Sequence, residues 1–488
     1  MIRIVLLVLQ IGAVAVVLAA SPRTLFDLDR FLVPKELALH ATALLAGALT
    51  IRRMRRTPAD RLLIAFLGLS AVSALLATNH WLALRALAIS ASGALLFWAA
   101  RAVRDAGFER HVVNALALAV VVASATALLQ AYGLRLDLFS LNRAPGGTLG
   151  NRNFVAHLAA IGLPLCLLAA MRAKRFAAVS LGVTVVAAAL VLTRSRAGWL
   201  AAAVALLVFV VGHRAEWRRL GAVALFAVAG AGAALVIPNT LRWRSDNPYL
   251  DSVTGVVNYE KGSGRGRLVQ YKQSLWMAAH HPLFGVGPGN WAVDYPNHAA
   301  RNDPSLDDSE PGMTSNPWPS SDWIAFISER GLAAAALLAA FFAALAFRRD
   351  PALLAVLAGA VVAGAFDAVL LLPAPAMIVW TALGSLCGPR LQPGVGEPEP
   401  PGRLKPASTL VCLLIALAGV ARSSTQLAAM EIYATHSDRA SLERASRLDP
   451  GSYRLHLRLA RGGRTRCEHA KAAHALYPAA PDPSRGCR

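Results

Sequence analysis

Charged residues are scarce in this chain. Asp, Glu, Lys and Arg make up 16% of its 488 residues, where a soluble domain carries about 25%. That shortage, together with 56% hydrophobic residues, argues against a soluble bundle, whose buried helices would be shorter and fewer than the apolar runs found here. The alternating strands of a porin-like barrel are absent too. Cysteine is sparse: there are five, with no C-x-x-C pair and no His-rich spacing beside them, so neither a metal nor another cofactor is expected. Cys166, Cys387 and Cys412 sit in or at the ends of apolar runs, where a thiol packs as a small hydrophobe. Cys467 and Cys487 fall in a polar tail and would form a disulfide in an oxidising compartment. The cluster Gly285 to Gly289 lacks the Gly-Lys-Ser/Thr of a Walker loop, which leaves it the task of shaping backbone.

What the chain has in plenty is apolar runs near the length that crosses a hydrocarbon core. They predict an all-α polytopic membrane protein with spans near 4–20, 36–51, 62–78, 86–101, 112–133, 154–171, 176–193, 197–212, 219–237, 321–347, 352–373, 375–388 and 409–422, about thirteen in all. The first run could pass for a signal peptide, but with so many spans behind it a retained signal-anchor is expected. A net charge of +21 invites a nucleic-acid reading that the charge distribution opposes. The basic clusters 52–56, 101–110, 172–175, 213–219 and 348–349 each follow an even-numbered span, as topology signals do. The positive-inside rule then puts them in the cytoplasm and leaves 134–153, 193–197 and a long polar stretch outside.

That polar stretch, 238–320, holds tryptophans, prolines and a Gly-Val-Gly-Pro-Gly turn cluster, too structured in composition for a linker. It is expected to fold as a periplasmic lid. The chain thus divides into spans one to nine (1–237), the lid (238–320), spans ten to twelve (321–388), a cytoplasmic Pro/Glu/Gly linker (389–408), a last span (409–424) and a periplasmic tail (425–488). The tail reads as short amphipathic helices resembling a degenerate tetratricopeptide pair, either a helical cap or a docking arm.

Several polar positions carry possible chemistry. Arg194 and Arg196 lie in a short turn on the side where positive charge is disfavoured; each can snorkel, yet two together suggest an anion site. Arg265 and Arg267 flank Gly266 just before a probable amphipathic helix, 268–280. There, glycines admit close backbone approach and a guanidinium offers a planar fork to phosphate. The segment 146–154, with Asn151, is either a re-entry turn or a polar shelf for sugar hydroxyls.

Taken together, GTLGNRNF, TRSRAGW, GRGRL with a downstream Trp and HPLFGVGPGN, and DWIAFISERG resemble the O-antigen ligase/polymerase superfamily, and Pro34-Lys35-Glu36 is also similar. The resemblance covers roughly 26–386. It implies a bacterial inner-membrane, metal-independent, inverting glycosyltransferase of lipopolysaccharide and cell-envelope assembly. Such an enzyme moves a glycan from undecaprenyl diphosphate to lipid A-core, another glycan or a protein hydroxyl on the periplasmic face. Arg196 and Arg267 match the motifs whose arginines hold the diphosphate; Arg194, Arg265, Asn151, Ser320 and Trp276 are expected as supporting substrate contacts. The family's His-Asn pair is replaced by Ser320 and Ser321, and a serine hydroxyl is no base near neutral pH. Asp322 is the first candidate for that role, with a helix-capping acid as its plainer reading; His281, His298 and Glu329 stand behind it. Membrane lipids and the lipid-linked glycan are the expected partners, and nucleic acid is not. The rival from another class is a lipid-linked glycan transporter, for which Asp367, inside the apolar run 352–373, would be the mid-span acid.

Overall fold

The computed structural model describes residues 1–54, 56–140, 142–243, 249–251, 262–388, 406–485 and 487. Among these residues there are helices and turns but no strand. Eight helices are long and apolar enough to cross a membrane, and five shorter apolar helices accompany them, so the chain is a polytopic all-α membrane protein. The apolar helices are α1 (Ile2–Leu18), α2 (Asp29–Thr50), α3 (Pro58–Leu75), α4 (His80–Asp105), α5 (Glu109–Ala131), α6 (Arg152–Met171), α7 (Phe176–Thr193), α8 (Arg196–Gly212) and α9 (Trp217–Val236). Beyond the lid come α13 (Leu332–Ala346), α14 (Pro351–Phe366), α15 (Pro373–Leu386) and α16 (Pro406–Thr435). The lid contributes α10 (Gly262–His280) and α11 (Trp291–Asp294), α12 (Asp322–Arg330) joins it to α13, and the tail contributes α17 (Arg439–Leu448), α18 (Tyr453–Leu459) and α19 (Arg466–Leu476).

The starts of the helices are written into the sequence. Thr57 and Asp60 form a reciprocal capping box with Pro58 in the first turn of α3, satisfying two donors that helix geometry leaves over. Asn79, Asn151, Ser195 and Asp350 cap α4, α6, α8 and α14 with side-chain acceptors, in keeping with the residue preferences of that position. Successive helices alternate in direction, so the basic connectors gather at one end of the bundle and the lid, the 193–196 turn and the tail at the other. At the basic end Arg101 pairs with Asp60 at 2.9 Å, and the Trp98 indole donates to the same carboxylate. Helix α6 is the axis: every residue from Phe154 to Met171 is buried.

Three boundaries differ from those read in the sequence. The run 321–347 is two helices, α12 and α13, broken at Gly331, whose φ of 83° only glycine adopts readily. A Cβ there would stand 2.2 Å from the Leu283 carbonyl. Gly331→Ala should therefore destabilise the protein by about 1–3 kcal/mol, read as a lower thermal unfolding midpoint in detergent and faster proteolysis of the lid. The run 352–373 ends as helix at Phe366, so Asp367 caps α14 at the lid end instead of lying mid-span. Helix α16 continues to Thr435, past the expected membrane exit near 424. The linker 389–405 lies outside the described residues.

The lid has its own core of Met277, Val286, Trp291, Ala292 and Tyr295. Buried polar ties lock it to the bundle: the Asn79 N–H donates to Asn290 Oδ1 at 2.7 Å, Asn290 Nδ2 returns to the Asn79 carbonyl at 3.1 Å, and Ser73 Oγ reaches the Phe284 and Glu329 carbonyls. In the tail, Leu442, Ala445, Leu455 and Leu459 pack with Ala429 of α16, and Cys467 is bonded to Cys487. Pro34-Lys35-Glu36 proves to be structural: Lys35 Nζ donates to the Ala19 and Thr148 carbonyls at 2.5 and 2.6 Å, while Glu36 accepts from Arg85 at 2.6 Å and Arg422 at 3.5 Å. A buried charge persists only when its partners are this complete.

Candidate functional site

Of the arginines singled out in the sequence, Arg267 comes to the buried His157 of α6. Arg267 lies inside the first turns of α10, not before them, because the helix begins at Gly262. One turn on, the Tyr271 hydroxyl lies 2.6 Å from the Ser320 carbonyl and 2.8 Å from that of Ala365, which fixes this face of α10 over the end of α14. Arg267 shares that face at helical spacing and comes close enough to His157 for their charges to interact. Arg196 opens α8, where a Cβ on Gly198 would fall 2.5 Å from Ala156; the two helices touch with no side chain between them. The lid thus brings Arg267 to His157, while Arg196 opens the helix that packs on the same turn through Gly198, two residues further on and on the other face of α8.

His157 escaped the sequence reading. It is buried, and neither ring nitrogen has a hydrogen-bond partner among the described residues; the Asp367 Oδ2 lies 4.0 Å from its Nδ1. The signal was available, since an ionisable side chain within an apolar span is by default a functional candidate. An imidazole with an uncommitted nitrogen, a carboxylate beside it and a guanidinium above is equipped to take a proton where negative charge is being neutralised.

Asp322 is fully buried, and its two oxygens accept the Val369 and Leu370 amides at 2.9 and 2.8 Å. Its carboxylate therefore holds the 367–372 turn that presents Asp367. Ser321 caps α12, with Oγ also donating to the Gly364 carbonyl, and the Ser320 N–H donates to Gln270 Oε1 at 2.6 Å. Glu329 accepts the Gly289 and Trp291 amides at 2.8 and 3.4 Å. Gly285, Gly287 and Gly289 all have positive φ; the first two pack on the 328–330 backbone and the third meets the Glu329 carboxylate, so the glycine cluster shapes a turn around a segment of this chain. His280, His281 and His298 group at the far end of α10, 13 residues or about 20 Å along the helix from Arg267. There burial first, then the neighbouring His280 and His281, hold His298 below its ordinary value. Arg265 and Trp276 point outward on the opposite face of α10 and do not join the cluster.

Arg194 and Asn151 belong to an adjoining cavity of about 1190 Å³, walled by the lid-end tips of α5, α6, α7 and the chain after α9. Five arginines line it against one aspartate, Asp137. Arg194 turns into it because α7 ends in a left-handed residue, φ 53°. The guanidiniums of Arg152 and Arg194 lie 5.1 and 4.5 Å from the Trp243 ring centre, a cation–π arrangement that helps keep like charges together. Tyr249 and Asp251 stand near Arg194. Arg196 and Arg267 are outside this lining, so the external arginines form two neighbouring groups.

Residues 181–339 match a family model described as O-antigen ligase. The matched segment contains Arg194, Arg196, Arg267, Ser320 and Asp322, and stops short of Asp367 and the tail. No match to a curated protein was found.

Proposed function

We propose that this chain, whose central segment is of the O-antigen ligase family, transfers a glycan from undecaprenyl diphosphate to an acceptor hydroxyl at the periplasmic face of a bacterial inner membrane. The observation that carries the reading is Arg267 of the lid beside the buried His157–Asp367 pair, with Arg196 at the head of the neighbouring span. When the acceptor oxygen attacks the anomeric carbon, the bond from that carbon to the diphosphate oxygen breaks and the electron pair leaves with the diphosphate. The two guanidiniums stabilise that developing charge, an interaction that grows toward the transition state. His157 takes the acceptor proton, and Asp367 steadies the imidazolium that forms. Single displacement from the face opposite the diphosphate inverts the anomeric centre. Arg194, Asn151 and their cavity hold the carrier's remaining charge, and Asp322 serves by fixing the 367–372 turn.

Placement of Asp367 at a helix end removes the mid-span acid on which the transporter reading leaned. The two readings part on bond cleavage. Purified protein given a radiolabelled lipid-linked glycan and a candidate acceptor in the presence of EDTA should release undecaprenyl diphosphate in step with glycosylated product. Lipid-linked glycan recovered intact, with every acceptor class tried (lipid A-core, a second lipid-linked glycan, a Ser/Thr peptide), would overturn the proposal.

A further inference from the structure

A second cavity, of about 440 Å³, lies between the tail, the 307–318 segment of the lid and the lid-end tips of α2, α4 and α16. Its electrostatics are the reverse of the arginine-rich cavity: seven carboxylates line it against three arginines, and Arg85 and Arg422 already pair with Glu36. Phosphate is therefore disfavoured. The walls also carry aromatic rings in numbers, Trp81, Trp318, Tyr433, Tyr453 and Tyr477 among them. Gln426 Oε1 is buried with no hydrogen-bond partner among the described residues, while the Trp81 indole N–H and the Asp449 carboxylate face each other loosely across the cleft. Gln426 is 7% exposed, and burying a polar group so completely without a partner is costly. The tail's seat is built, too. A Cβ on Gly451 would strike Trp81 at 2.0 Å, and one on Gly312 of the lid would strike the Ala479 carbonyl at 2.2 Å.

We propose that this cleft is a carbohydrate subsite for the phosphate-free sugar chain of the acceptor, neutral or amino-bearing, with the aromatic rings taking sugar C–H faces and Trp81, Gln426 and Asp449 exchanging hydrogen bonds with its hydroxyls. The identity of the ligand as a glycan acceptor rests on the proposed function. Position favours the acceptor over the donor. Asn153 lines the arginine-rich cavity while its neighbour Phe154 meets Trp318 of the cleft at 6.3 Å, so the first turn of α6, directly above His157, borders both. A donor diphosphate held by arginines on one side and an acceptor arriving from the other is the approach that inversion requires.

The test is calorimetric titration of the full chain in detergent with chitotetraose, the glucosamine tetramer and maltotetraose. At least one should bind with millimolar affinity, weakened on the order of ten-fold by Gln426→Leu, which removes a hydrogen-bonding group, and by Asp449→Ala, which removes the carboxylate. Trp81→Phe keeps a ring and loses the N–H; it should weaken binding severalfold and decides the matter should the other two variants not fold. Arg267→Ala and added inorganic pyrophosphate should leave binding within about twofold, since the phosphate-binding arginines lie elsewhere. No binding by any of the three sugars, binding indifferent to the folded variants, or competition by pyrophosphate would overturn the subsite. Sugar binding in a protein that fails to transfer glycan would leave the cleft standing and remove the transferase reading.

Discussion

His157→Asn should lower the turnover of glycan transfer by about 10²–10⁴-fold, the usual contribution of a positioned general base, while the donor KM moves little. Asparagine is smaller than the imidazole and fits within its space without a clash, so α6 should keep its packing with only a modest drop in the unfolding midpoint. A base acting in the rate-limiting step also leaves its mark on pH dependence. The wild-type rate should rise with pH through the His157 ionisation, and the variant's residual rate should lose that limb. Asp367→Asn, which removes the partner carboxylate and keeps the turn, should give a smaller loss of the same kind. If His157→Asn retains full turnover with an unchanged pH profile, the proton goes elsewhere and the assignment fails.

Arg267→Ala should reduce kcat/KM by about 10²–10³-fold, the scale of one lost contact to developing oxyanion charge. Most of the change should appear in kcat, because the charge it meets is larger in the transition state than in the bound donor. Lysine restores the charge without the planar fork, so Arg267→Lys should recover part of the loss and not all of it. Arg265→Ala, two residues away on the outward face of α10, should change the rate little. That pair of neighbours separates diphosphate contact from general basicity of the lid. Equal losses at both positions would point to long-range electrostatics, which salt would then screen.

Much of this architecture was legible in the sequence. The apolar runs become apolar helices, eight of span length and five shorter among the described residues, and the tail cysteines are joined, because hydrophobic length and compartment chemistry are local properties. The break at Gly331 was hidden inside 321–347, since nothing in a uniformly apolar string says that the chain must pass under the Leu283 carbonyl. Asp367 looked like a mid-span charge for a related reason. The helix stops at Phe366 because Asp322, 47 residues before Val369, captures the amides of Val369 and Leu370. His157 sat in a run whose composition masked it, and its partners Asp367 and Arg267 come from remote segments. Arg265 and Trp276 were drawn in by sequence proximity to Arg267, which helical geometry turns into opposite faces.

Glu329 gives the lid a counter-anion of its own. With its carboxylate holding the Gly289 and Trp291 amides, and Gly285 and Gly287 packed on the backbone around it, the glycine turn's free amides are taken up from within. In the proposed transferase, recognition of the carrier then falls on side-chain cations mounted on separate helices. Their spacing is set by the Asn79–Asn290 and Ser73 ties that seat the lid on the bundle, so weakening those ties should cost the donor affinity without touching a residue that meets it.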